Sequence, residues 1–258
     1  MEVFDAVVEG LTAAGIMVIL NNHNSGAGWC CSENDGEGLW YTHEYPEEDW
    51  IQALEGMTDR YSSNTLVIGM DLRNELRRAH GHSPSWGNGN VKYDWAMAAE
   101  KAGDAVLAIN SNMLIIVEGL EYAGTLEGAR NHPIELSQPN QLVYSGHLYT
   151  WFFDASMSYE DLKQIMTTRQ LFVTESGHPY SAAYWMGEFG TGDNSEGWQK
   201  MIQLLEDTDN DWSYWAIDGY KYPGEDESFG LLRDDYKTIR HQWLVDQLKS
   251  IMPSQKRQ

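Results

Sequence analysis

Glu75 and Glu188 are the residues in this chain best placed to do chemistry. The first closes the run Thr65-Leu-Val-Ile-Gly-Met-Asp-Leu-Arg-Asn-Glu75, and the second lies at the end of Ala183-Tyr-Trp-Met-Gly-Glu-Phe-Gly190. Both runs are apolar and strand-like, and in a sheet of parallel strands the side chains at the carboxyl ends gather over one face. Two carboxylates facing each other there suit the cleavage of a glycosidic bond: one carries a proton for the leaving oxygen, and the other is ionised to attack or to activate water. Most of the 39 acidic residues are solvated surface groups; the strand-end position sets these two apart.

Positioning them requires strands alternating with helices. Six short apolar runs, at residues 16–20, 66–70, 113–117, 142–144, 183–186 and 212–216, have the composition of parallel strands buried on both faces. Between them apolar residues recur at helical spacing: Trp50, Leu54, Met57 and Tyr61; Trp95, Ala98, Ala99, Ala102 and Val106; Leu162, Ile165 and Met166; Trp198, Met201, Ile202 and Leu205; Ile239, Trp243, Leu244 and Leu248. Val3, Phe4, Val7, Val8 and Leu11 predict a packing helix at the start. The repeated strand–helix pattern implies a parallel sheet in one domain spanning residues 1–258, with no internal repeat or linker. The polar stretches 21–38 and 79–90 are too long for tight connections and read as rim loops of a binding face.

With 17 basic residues against the 39 acidic ones, the net charge is −22, which argues against nucleic acid or an anionic membrane as partner and favours a neutral substrate. Eleven Trp, fourteen Tyr and six Phe are too many aromatics for a disordered acidic chain, so the charge covers a folded surface. No apolar stretch reaches the roughly 18 residues of a membrane span, and the acidic opening Met1-Glu2-Val-Phe-Asp5 lacks the pattern of a secretory signal. The adjacent Cys30 and Cys31 exclude a four-thiolate zinc site and a conventional disulfide framework. A bridge between neighbours, partners outside the chain and two reduced thiols all stay open.

Five motifs in order, Asn22-His23-Asn24, Arg73-Asn74-Glu75, His147-Leu148-Tyr149, Gly187-Glu188-Phe189-Gly190 and Trp215, resemble the cellulase-like glycoside hydrolases of family 5, in the clan of (β/α)8 TIM-barrel glycosidases. The run Gly28-Trp29-Cys30-Cys31-Ser32 is similar to a loop of a eukaryotic-type branch of that family. The resemblance implies that Glu75 is the acid/base and Glu188 the nucleophile of a retaining mechanism, with the carboxyl groups about 5 Å apart. It further implies sugar contacts for His23, Asn24, Asn74, His147, Tyr149 and Trp215. Asn74 would hydrogen-bond the sugar 2-hydroxyl, Trp215 would stack beneath the reacting ring, His23 and His147 would contact the sugar or orient the nucleophile, and a donor such as the Tyr149 hydroxyl would help to keep Glu188 ionised. Each has a plainer reading: a turn residue for Asn74, satisfied structural histidines or metal ligands for His23 and His147, core packing for Trp215. Arg73 is a support residue, lowering a carboxylate pKa or bracing the strand end.

An eight-stranded barrel would bring two strands before residue 16, so the expected fold is an α/β barrel of the TIM type, truncated at its N-terminus, with about six βα units. A remodelled smaller barrel, or a dimer supplying the missing strands, are alternatives, and self-association through open barrel edges is expected. The expected activity is retaining hydrolysis of a β-linked glucan-type oligo- or polysaccharide, endoglucanase-like, needing no cofactor and no metal. An extracellular location follows from the resemblance alone. The rivals are a catalytically impaired sugar-binding module on the same scaffold and a calcium-binding protein using the acidic loops 32–37 and 224–228, which lack EF-hand ligand spacing.

Overall fold

The computed structural model describes residues 1–28, 30–154, 156–222 and 224–252. The chain divides into two compact units, one made of residues 1–146 and 169–184, the other of residues 147–168 and 185–258. The six strands β1 to β6 lie in chain order across one sheet, with β1 and β6 at its edges.

In the first unit β1 (Val18–Asn21), β2 (Val67–Asp71), β3 (Leu114–Glu118) and the start of β4 (Leu142–Tyr149) run parallel, with Leu20, Met70, Ile115 and Leu142 aligned in register. Ile115, Ile116 and Val117 are fully buried, which explains why β3 is apolar on both faces. Helix α2 (Glu47–Arg60) carries Glu47, Glu48 and Asp49 in its first turn and Arg60 in its last, both favourable to the helix dipole. Helix α3 (Trp95–Ile109) starts at Asp94, whose side chain accepts from the Met97 backbone N–H, and it packs on a face of Ala98, Ala99, Ala102 and Val106. A short turn, α4 (Leu120–Ala123), follows β3, with Glu121, Tyr122 and Ala123 at positive φ.

Trp40, Trp50 and Trp95 form a buried cluster with ring centroids 5.7 to 6.4 Å apart. Each indole N–H finds an acceptor: Glu47 Oε2 at 2.8 Å for Trp40, the Leu72 carbonyl at 2.9 Å for Trp50, and the Glu118 carbonyl at 2.9 Å for Trp95. Two of these acceptors sit at the carboxyl ends of strands β2 and β3, so the cluster that fills the core also fixes the strand ends.

The second unit holds the end of β4, most of β5 (Ala183–Gly190) and β6 (Asp211–Tyr214), the last two parallel with Met186 opposite Trp212. Most of helix α5 (Tyr159–Arg169), helix α6 (Glu196–Thr208) with a Ser195 cap, and helix α7 (Gln242–Ser250) complete it, with a small hairpin of β7 (Tyr220–Tyr222) and β8 (Glu225–Asp226). The Phe189 ring stacks on Trp198 at 5.7 Å and meets Trp212 and Tyr214 edge-on at 5.5 and 5.6 Å.

The fold matches the expected strand–helix alternation, with differences. Strands β4 and β5 extend to residues 149 and 190, well beyond the apolar runs, which glycines and the polar residues Ser145, His147 and Glu188 interrupt. Ile239 lies before α7 and is exposed rather than part of its buried face. Helix α1 (Glu2–Ala13) forms, but of its apolar stripe only Val8 is buried; Val3 is 80% and Val7 56% exposed, with Phe4 and Leu11 exposed too. The stripe is helical as read, yet it is not packed as a core-facing helix would be.

Candidate active site

In the first unit the segment after β2 is almost entirely interior: Leu72, Arg73, Asn74, Leu76 and Arg77 are buried, and Glu75 is half-buried. The Leu72 N–H donates to the Ile116 carbonyl at 3.2 Å and the Asn74 N–H to the Asn22 carbonyl at 3.0 Å, so the chain continues along the sheet wall after regular pairing ends. Glu75 then takes a left-handed conformation, φ 45°. Its N–H donates to the buried Glu118 Oε2 at 2.8 Å, and its carbonyl accepts from Arg77 Nη1 at 2.7 Å.

Arg73 braces the strand end. Its guanidinium donates to Asn22 Oδ1 and Ser25 Oγ, each at 3.0 Å, and to the Glu37 carbonyl and Oε2 at 2.9 and 2.8 Å. Arg77 pairs with Asp35 at 2.7 Å and donates to the Ser32 carbonyl at 3.1 Å. Burial pushes the Glu37 carboxyl up, but the Ser25 and Gly26 N–H groups and Arg73 outweigh it and hold the group below its ordinary value. Burial acts likewise on Asp35, and the Ser32 and Glu37 N–H groups with Arg77 hold it below the usual range. Glu37 and Asp35 thus tie their loop to the two arginines that flank Glu75.

His23 and Asn24 sit on this loop. His23 Nδ1 is 3.1 Å from Asn21 Oδ1, and the Asn21 amide donates to Asp71 Oδ2 at 3.0 Å. The Asn24 amide donates to the Gly28 carbonyl at 3.0 Å. Cys30 and Cys31 are joined as a disulfide between neighbours, and the Asn74 amide lies 3.6 and 3.7 Å from their sulfurs. The Asn74 Oδ1 atom is buried with no protein partner among the described residues. Trp29, part of the loop resemblance, lies outside the described residues.

In the second unit Glu188, His147 and Tyr149 come together. The Tyr149 hydroxyl donates to Glu188 Oε2 at 2.8 Å, and His147 Nδ1 is 3.6 Å from the same oxygen. His147 and Tyr149 are buried on β4, while Glu188 on β5 keeps partial access. Gly190 explains part of the motif around Glu188: a Cβ there would lie 2.4 Å from the Trp215 carbonyl. Trp215 follows β6, its N–H donates to the Phe189 carbonyl at 2.9 Å, and its ring is about one-third exposed. Trp151, 62% exposed, stacks on the Tyr149 ring at 4.3 Å and 7°, and Phe229 stacks on Tyr149 at 6.0 Å.

Each half of the expected site is therefore assembled within its own unit, Glu75, Asn74 and Arg73 in the first and Glu188, His147, Tyr149 and Trp215 in the second. Sequence reasoning missed Glu118, Arg77, Glu37 and Asp35 in the first, and Trp151 and Phe229 in the second. A signal for Glu118 existed, since it closes the apolar run 113–117 as Glu75 closes its own.

A parallel sheet with carboxylates at its strand ends agrees with a comparison against known families: the cellulase model of glycosyl hydrolase family 5 matches residues 1–221. The chain belongs to glycosyl hydrolase family 5. An endoglucanase of Paenibacillus polymyxa is 34% identical over 264 residues, covering 92% of this chain and 62% of the relative. The major extracellular endoglucanase of Xanthomonas campestris is 28% identical, covering 93% of this chain and 51% of its own length. This family 5 chain thus spans between half and two-thirds of the length of these relatives. Among solved structures, the endocellulase of Pyrococcus horikoshii superposes with a TM-score of 0.83 at 27% identity, over 98% of this chain and 74% of that one. The catalytic domain of the Xanthomonas endoglucanase gives 0.79 at 27% identity, over 97% and 73%. The six-stranded parallel sheet is accordingly a part of the family 5 (β/α)8 barrel. No described helix is long and apolar enough to cross a membrane.

Proposed function

We propose that this chain is an endoglucanase-like glycoside hydrolase that cleaves β-linked glucans with retention, using Glu75 as acid/base and Glu188 as nucleophile. The observation that carries the reading is the setting of Glu188: near the carboxyl end of β5, mostly buried with a small exposed fraction, and with the Tyr149 hydroxyl donating to Oε2 at 2.8 Å. A donor at that distance favours the ionised carboxylate and fixes which oxygen faces outward to attack.

Glu188 attacks the anomeric carbon while Glu75 gives its proton to the departing glycosidic oxygen, leaving a glycosyl ester on Glu188. Glu75, now ionised, takes a proton from water, which attacks the same carbon and releases Glu188. The two carboxyl groups balance every proton and electron pair of the cycle. Under this mechanism they stand about 5 to 5.5 Å apart. Asn74 supplies the contact to the 2-hydroxyl, Trp215 the stacking face, and His23, Asn24 and His147 further sugar contacts or, for His147, orientation of Glu188.

A neutral glucan suits a chain of net charge −22 better than an anionic polymer. The relatives named endoglucanase support this substrate class, as do structures of the Pyrococcus enzyme with cellotetraose, which carry glutamate-to-alanine and tyrosine-to-phenylalanine substitutions. Those are the residue types assigned here to the reacting groups and to Tyr149. An extracellular location is proposed on the same footing, from a relative described as extracellular.

The test is a 2-deoxy-2-fluoro-β-cellobioside with a dinitrophenyl leaving group, which forms the ester but hydrolyses it slowly. Stoichiometric labelling on the peptide that carries Glu188, absent in Glu188→Gln, is the expected result. Turnover of an unmodified aryl cellobioside with the label on another residue, or with Glu188→Gln within about tenfold of the parent, sinks the assignment, since covalent catalysis supplies far more than about 1.4 kcal/mol.

A further inference from the structure

We propose that Glu118, a buried residue at the end of β3, is a positioning residue that aims the Glu75 carboxyl by holding its backbone in the left-handed conformation. The proposal rests on the reading of Glu75 as acid/base. At φ 45° Glu75 occupies a region that a side-chain-bearing residue keeps only when its surroundings hold it there. Two side chains do so. The Glu118 carboxylate accepts the Glu75 N–H at 2.8 Å, and the Arg77 guanidinium donates to the Glu75 carbonyl at 2.7 Å, so the residue is clamped on both sides.

Both clamps are anchored independently of Glu75. Glu118 is fully buried at the end of β3, where Trp95 Nε1 donates to its carbonyl at 2.9 Å. The next residue is Gly119, and a Cβ there would meet the Thr125 carbonyl at 2.4 Å, so the chain turns away sharply and leaves the Glu118 side chain facing the segment after β2. Arg77 is held by Asp35 at 2.7 Å and by the Ser32 carbonyl at 3.1 Å.

Strand pairing needs none of this, because Glu75 lies beyond the end of β2 at Asp71. A buried carboxylate is costly to keep, and this one accepts the Glu75 N–H. Relaxing Glu75 out of the left-handed region swings the Cα–Cβ bond and carries the carboxyl away from the leaving oxygen, and a displacement of about 1 Å in such a group can cost roughly 100-fold in rate.

The experiment compares Glu118→Gln, which keeps a side-chain oxygen in place to accept the Glu75 N–H, with Glu118→Asp, which keeps the charge and withdraws the acceptor by one methylene. Glu75→Ala and Glu75→Ala/Glu118→Asp complete a cycle. Substrates are cellotetraose, whose leaving group needs the acid, and 2,4-dinitrophenyl β-cellobioside, whose leaving group does not. Expected for Glu118→Asp are a loss of roughly 30- to 100-fold in kcat/KM on cellotetraose and of less than about threefold in kcat/KM on the dinitrophenyl substrate, a constant that reports formation of the glycosyl ester alone; hydrolysis of that ester, for which Glu75 is the base, is read separately as a fall in kcat on the dinitrophenyl substrate. Glu118→Gln should stay near the parent, and Glu118→Asp should add nothing in the Glu75→Ala background.

Equal losses in kcat/KM on both substrates, or Glu118→Gln as damaging as Glu118→Asp, overturn the proposal. If Glu75→Ala itself shows no leaving-group selectivity, the acid/base reading fails instead, and the two failures are thereby separated. Hydrogen exchange at the Glu75 amide, followed by NMR, needs no turnover: protection should survive Glu118→Gln and fall at least about tenfold in Glu118→Asp. Unchanged protection in Glu118→Asp overturns the clamp on its own.

Discussion

Replacing Tyr149 by Phe deletes one oxygen and leaves the ring where it is. The ring is buried and lies parallel to Trp151 at 4.3 Å, with Phe229 stacked at 6.0 Å, so aromatic contacts keep its plane after the hydroxyl is gone. What disappears is the 2.8 Å bond to Glu188 Oε2. A hydrogen bond to a charged group contributes about 1.5 to 3 kcal/mol. If the bond orients the nucleophile through the transition state, its loss corresponds to roughly a 10- to 150-fold fall in kcat/KM, at about 1.4 kcal/mol per factor of ten. Steady-state hydrolysis of an aryl β-cellobioside measures the fall. Calorimetric titration of cellotetraose into Glu188→Gln with and without Tyr149→Phe measures binding without turnover, and the affinities should agree within about threefold because the stacked ring is retained. A kcat/KM within twofold of the parent refutes the orienting role. A drop in cellotetraose affinity equal to the drop in kcat/KM shows instead that the hydroxyl is a sugar ligand.

Three other outcomes follow from the same geometry. Glu37 and Asp35 are held below their ordinary values, so their contribution to stability is complete above about pH 5 and is lost as pH falls through the folded values; Glu37→Gln should flatten the acid side of a plot of urea midpoint against pH, and parallel plots for variant and parent contradict this. Ile116, fully buried in β3, should cost about 2 to 5 kcal/mol when cut to Ala, read from urea unfolding, and a cost below 1 kcal/mol would mean that the wall collapses around the cavity. The exposed Val3, Val7, Ile16 and Met17 beside the open edge of β1 should cause concentration-dependent self-association, which Val7→Lys reduces in sedimentation velocity runs; identical profiles for both proteins remove this patch as the contact.

The parts of the fold that could be read in advance are those where burial and apolarity coincide. Residues 114–117 of β3 are apolar because both faces are covered, and the Trp50 and Trp95 helices show their stripes for the same reason. Strand β4 fails that test after Tyr144: Ser145 and His147 are buried but polar, so burial continues where the apolar run stops. Residues Glu75 and Glu188 were legible as strand-end carboxylates within recognisable neighbours. Glu37 and Asp35 were not, because in a polar loop a carboxylate that meets an arginine far along the chain looks like any solvated acid; only the pairing with Arg73 and Arg77 distinguishes them. Helix α1 shows the converse, a stripe correctly read as helical whose burial depends on neighbours that periodicity cannot supply.

The indole donors of Trp50 and Trp95 carry a consequence for redesign. They reach the Leu72 and Glu118 carbonyls from helices α2 and α3, so these acceptors at the sheet's working rim are satisfied from the core side, and neither needs a loop atom or a water molecule to complete it. The neighbouring loops share this anchoring. Residues 79–90 reach the start of α3, where the Gly87 and Gly89 N–H groups donate to Asp94 and the Trp95 N–H donates to the Ser85 carbonyl, while Glu37 and Asp35 bolt their loop down through Arg73 and Arg77. Altered substrate preference should therefore be sought by changing exposed side chains on the first stretch with the Ser85, Gly87 and Gly89 backbone kept.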